Sequence, residues 1–220
     1  MFFATLIQAP KHQVFDIAKA SPEFAIKVDL VPDDPTSEPL TGSARVMIIS
    51  RASHKTVQTI RMASVAIFKE QLATSVGKTG KQPELYDDQY SFVFEDFNFD
   101  GHPDLAICKD IQGSYGAMSY DIFLWNAKQK RFVKDAQLSK LSSEHLGLLE
   151  VDRKRRELIT FDKSGAAWHL TSTYKYLKGR PRLVETEVED ATSGYRDVIT
   201  TKRRVGKHWR TRVRVVREPN

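Results

Sequence analysis

Phe24, Ile26, Val28 and Leu30 alternate with Ala25, Lys27 and Asp29 along residues 23–30, the period of two expected of a strand with one buried face. Residues 44–50 and 56–62 continue the pattern as a pair joined through Arg51-Ala52-Ser53-His54, so the first part of the chain reads as a β meander. The segment 31–39 carries Pro32, Pro35 and Pro39 and reads as an exposed loop. Residues 1–10 are apolar but lack a basic leader, and they read as a first strand or as the front of a mature chain whose export signal is not visible. From Ser64 to Val76 the pattern admits a short helix or a further strand, and the Gly/Lys-rich run 77–83 is the best internal boundary. It divides an N-terminal meander, 1–83, from a domain at 84–220 within one compact fold.

Beyond that boundary short strands recur about every dozen residues. They are expected at 89–95, 104–109, 119–126, 131–134, 147–151, 157–162, 166–172, 174–177, 182–188, 197–204 and 208–217. One helical turn is plausible at 136–142. The fold class is therefore all-β, with many short antiparallel strands arranged as a sandwich, a barrel or propeller-type blades. No signature repeats at a fixed period, so pattern alone does not establish a regular propeller.

One interval breaks this rhythm with chemistry. In Asp96-Phe97-Asn98-Phe99-Asp100-Gly101-His102-Pro103-Asp104 the side-chain oxygens of Asp96, Asn98, Asp100 and Asp104 fall at loop positions 1, 3, 5 and 9. The His102 carbonyl falls at position 7, and Gly101 supplies the sharp turn at position 6. That spacing suits a hard, oxygen-seeking cation, and the expected cofactor is a structural calcium ion. Position 12 is Ile107 rather than the glutamate of an EF-hand, so the loop feeds a strand instead of a helix. The competing reading is an Asp/Asn/Gly surface turn. Bound calcium would brace a platform for neighbouring aromatic tips.

Length and charge narrow the classes. At 220 residues with 40% hydrophobic content the chain can bury a real core, and it has no apolar run long enough to span a membrane. A single cysteine, Cys108, excludes an internal disulfide and reads as a buried, inert thiol. The net charge of +6 is concentrated in 202–217, which holds eight Lys and Arg residues and no acid. There Trp209, Thr211, Val213 and Val215 alternate with Arg210, Arg212 and Arg214, the pattern of a half-exposed hairpin. A functional reading of the same segment is a non-enzymatic module for an anionic envelope polymer or, less favoured, nucleic acid. No nucleophile elbow, zinc-spaced histidine pair or phosphate loop is present, so no enzyme activity is expected.

The segment 96–126 resembles the calcium-loop repeats of integrin-type β-propellers. Together with Ser114-Tyr115-Gly116-Ala117-Met118, Lys163-Ser164-Gly165-Ala166-Ala167-Trp168-His169 and Val188-Glu189-Asp190-Ala191-Thr192, it is similar to a bacterial envelope family. That family contains immunity proteins against peptidoglycan hydrolases delivered by type IV secretion and is distantly similar to periplasmic lysozyme inhibitors. The resemblance implies an atypical β-propeller with calcium, residence in the periplasm and inhibition of a lysozyme-like effector by loops entering its cleft. Lysozyme inhibitors commonly present a Ser-Gly-x-x-Tyr loop. Here Ser164 and Gly165 match it, and Trp168 replaces the tyrosine. A second candidate plug is Ser114-Tyr115-Gly116, whose flanking glycines favour an exposed Tyr115. Against these, Trp168 beside Ala166 and Leu170 also reads as a core residue.

Overall fold

The computed structural model describes residues 11–18, 20–69, 90–194 and 196–216. Three antiparallel sheets follow one another along the chain, each an up-and-down meander with its strands in near-sequential order. The first contains β1 (Gln13–Ile17), β2 (Phe24–Pro32), β3 (Leu40–Ser50) and β4 (Thr56–Ile67). In β2 the alternation is realised directly: Phe24, Ile26, Val28 and Leu30 are buried, and the residues between them are only partly covered. The stretch after Ser64 continues as strand, through Ile67 of β4. At Gly42 the register slips, and β3 comes so close to β2 that a Cβ on Gly42 would lie 2.1 Å from the Val31 carbonyl oxygen.

The second sheet contains β5 (Phe92–Glu95), β6 (Asp104–Asp110), β7 (Ser119–Asn126) and β8 (Arg131–Lys134). Its apolar residues run without a break, as in Leu105-Ala106-Ile107-Cys108, because both faces are covered. Phe92, Phe94, Leu105, Ile107, Phe123 and Phe132 share a core with the first sheet. Val93, Ala106, Cys108, Tyr120 and Ile122 face the other way, toward Leu138, Leu149 and Leu158. Strand β8 is too short to cover all of β7. Helix α1 (Ala136–Glu144) takes over, and its Ser139 and Ser142 hydroxyls accept from the N–H groups of Ile122 and Tyr120 at 2.9 and 3.0 Å. The helix begins at Asp135, whose carboxylate accepts from the N–H groups of Gln137 and Leu138.

The third sheet has six strands: β9 (Glu150–Asp152), β10 (Glu157–Ser164), β11 (Trp168–Tyr176), β12 (Pro181–Asp190), β13 (Asp197–Val205) and β14 (His208–Val216). The two short strands expected at 166–172 and 174–177 are one, β11, with a bulge at Thr173 and Tyr174 against β12. Strand β1 carries no clear expectation in the sequence, because Val14, Phe15 and Ile17 break the strict alternation. The all-β, blade-like architecture holds, with three meanders and no closed barrel among the described residues. The strand expected within 1–10, the boundary loop 77–83 and Arg217 lie outside the described residues.

Candidate functional site

Both candidate plugs lie in turns, and the fold brings the turns together. Tyr115 occupies a 3-10 turn, Ser114–Gly116, between β6 and β7, with φ of 59°. Gly113 donates to the Ala117 carbonyl and Gly116 to that of Gly113, each at 3.0 Å, so the loop is closed on itself. The Tyr115 side chain is 49% exposed. From the β10–β11 turn, the Gly165 N–H donates to the Tyr115 hydroxyl at 2.7 Å. Gly165 has φ of 67°, a conformation natural to glycine. The Lys163 ammonium stands 4.5 Å from the centre of the Tyr115 ring, within cation–π reach. Ser164, Gly165 and Ala166 are exposed.

Trp168 closes this turn opposite Ser164, pairs with Asp190 on the other side, and is half-buried. Ala191 donates to the Ala167 carbonyl at 2.7 Å, which attaches the β12–β13 turn to the same end of the sheet. Sequence reasoning did not assign a role to Lys163 or Ala191. The signal for both lay in the segments that carry the family resemblance.

The Asp96–Asp104 loop joins β5 to β6 and is laced by its own backbone. Asp96 accepts from the N–H groups of Asp100 and Gly101 at 3.0 and 2.9 Å, Asn98 from Asp100 at 2.9 Å, and Asp100 from His102 at 2.9 Å. Phe99 and Gly101 both have positive φ, 61° and 90°. Arg156 spans the back of the loop, donating to the Phe99 carbonyl and covering its ring. Asp104 is fully buried, and its two oxygens accept from the N–H groups of Phe97 at 2.9 Å and Trp125 at 2.8 Å. Burial pushes its carboxyl up to about 8 despite those donors, and Asp100 and Asp96 push in the same direction.

Among the described residues no group of three or more His, Cys, Asp and Glu stands ready to hold a metal. The donor set is nevertheless of the right kind. A carboxylate offers about four lone-pair sites, so Asp96 and Asp100 keep acceptor capacity after their backbone bonds. With the Asn98 amide they form an oxygen-only, partly exposed mouth suited to calcium rather than to softer metals.

The two features lie at opposite ends of β6. Its seven residues put about 20 Å between the ends. The acidic loop therefore does not neighbour Tyr115, unlike the expected platform for neighbouring aromatic tips; β6 links the two, and Arg156 also ties the loop to the start of β10, which ends at Ser164. Cys108 in that strand is buried, and burial raises its thiol well above the ordinary range. A cluster invisible in the sequence joins the end of α1 to the third sheet: His145 Nδ1 lies 2.6 Å from Asp162, and the Tyr174 hydroxyl lies 3.4 Å from Nε2.

No protein-family model and no curated protein matches the chain. A solved structure described as that of a Xanthomonas type IV secretion system related protein superposes with a TM-score of 0.71 at 20% identity. The match covers 94% of this chain and 95% of that one. The two chains share a fold.

Proposed function

We propose that this protein is a type IV secretion-linked immunity protein of the periplasm that inhibits a lysozyme-like peptidoglycan hydrolase, without performing chemistry itself. The observation that carries the reading is the hydrogen bond from Gly165 to Tyr115, since two turns singled out separately form one exposed, tied tip. The full-length fold likeness to a type IV secretion system related protein supports the setting.

A glycoside hydrolase cleft holds two carboxyl groups beside sugar subsites. Against it this tip presents the Ser164 hydroxyl, the Lys163 ammonium and the flat Tyr115 ring. The cation and hydroxyl complement the carboxylates, and the aromatic face complements a sugar ring. The tie between the turns orders both before contact, which lowers the entropic cost of binding. Ser114, Gly116 and Trp168 support this surface through the two turns.

In this reading calcium is held by Asp96, Asn98, Asp100, the His102 carbonyl and Asp104. The ion supplies charge neutralisation and loop rigidity, not catalysis. The residues themselves position the turn that starts β6.

The test is a peptidoglycan hydrolysis assay with the cognate effector. Stoichiometric protein should abolish turnover, and Tyr115→Ala should release it with unchanged circular dichroism. Unimpeded hydrolysis at molar excess of the unaltered chain would reject the proposal.

A further inference from the structure

We infer that β14 is a docking edge for an acidic, extended polypeptide segment, taken up by strand addition. Among the described residues it is the outermost strand of the six-stranded sheet and pairs with β13 alone. In an antiparallel ladder, alternate residues turn their N–H and C=O groups to opposite sides, so an edge strand offers a row of backbone donors and acceptors to solvent. All nine residues of β14 are exposed.

The register on β13 sorts the side chains into two rows. Arg210, Arg212 and Arg214 stand opposite Arg203, Thr201 and Ile199 on one face. Trp209, Thr211, Val213 and Val215 stand opposite Arg204, Lys202, Thr200 and Val198 on the other. Arg203 is matched by Glu185 of β12, whereas Arg210, Arg212 and Arg214 have no ion pair with an acid among the described residues.

Charges along an edge are a common defence against unwanted pairing. Defence explains the arginine row and not the other, where Trp209, Val213 and Val215 remain 46%, 59% and 49% exposed. A second copy is a poor occupant. Antiparallel pairing of two β14 edges would set arginine rows side by side, and residues 198–216 contain no acid to relieve them. A structureless polyanion would satisfy the arginines and leave both the open ladder and the apolar row unmet. A strand with acids at alternate positions and β-branched residues between them meets all three features at once.

The test uses the full chain and a fluorescent ten-residue peptide alternating glutamate with valine or threonine, followed by anisotropy and amide hydrogen exchange. Saturable binding is expected, with slowed exchange within 209–216. Arg212→Glu combined with Arg214→Glu should weaken it at least about tenfold, as should N-methylation of alternate peptide residues, which removes ladder donors without changing charge. Equal affinity for the N-methylated peptide, or displacement by polyphosphate at equal charge concentration, would overturn strand addition in favour of simple polyanion binding. Dimerisation of the chain that competes with the peptide would assign the edge to a second copy and likewise overturn the inference, as would the absence of saturable binding.

Discussion

The Gly165 N–H and the Tyr115 hydroxyl meet at 2.7 Å although fifty residues separate them in the chain. One bond thus fixes the β10–β11 turn against the β6–β7 turn, and it does so with a side chain that remains half in solvent. Tyr115→Phe should keep the ring beneath Lys163 and lose the acceptor. A hydrogen bond of this kind contributes about 1 kcal/mol, so Gly165 exchange should accelerate roughly fivefold and the melting temperature should fall by about 2–4 °C. Native-state hydrogen exchange checks this, and identical Gly165 rates would mean the tie is absent in solution.

Calcium should raise the melting temperature. At a hundredfold excess over its dissociation constant the linkage gain is about 2.7 kcal/mol, or roughly 5–10 °C for a chain of this size. Asp96→Ala or Asp100→Ala should remove most of the increment. Superimposable melting curves in calcium and in chelator would dispose of the ion.

The Asp104 carboxyl has a folded pKa of about 8, against an ordinary value of 3.8, chiefly because it is buried. The fold therefore favours the protonated acid. Its contribution is full below about pH 4 and is lost as the pH climbs through about 8, since the unfolded chain releases the proton first. In chelator, the urea midpoint should fall from pH 5 to pH 8 more steeply in the unaltered protein than in Asp104→Asn. The variant should also start lower by about 1–3 kcal/mol, because the amide turns a donor toward one of the two backbone N–H groups. Parallel pH profiles would contradict this account.

Gly42→Ala tests the junction between β2 and β3. Its Cβ would meet a carbonyl oxygen at 2.1 Å, and backbone cannot swing aside as a long side chain does. A loss of about 1–3 kcal/mol is expected in denaturant titration, and a neutral result would mean that the two strands separate more easily than their pairing implies.

Much of the architecture is legible because strand periodicity is a local physical signal. Phe24 to Leu30 alternate since one face of β2 meets the core, and Leu105 to Cys108 run unbroken since β6 is covered on both sides. The acidic loop was equally plain, as its side chains act within nine residues of one another.

By itself the sequence determined most of the strand segments, though not β1 or the continuity of β11, which residues of each share a face, and where an oxygen-rich turn interrupts them. Only the tertiary structure decided what each face meets. Tyr115 reaches Gly165, and His145 reaches Asp162, through folding of distant segments that no local period encodes. The same holds for β14, whose alternation looks like that of β2 yet leaves Val213 and Val215 in solvent. A period of two records that a strand has two different sides; whether anything covers them depends on the neighbours that the rest of the chain supplies.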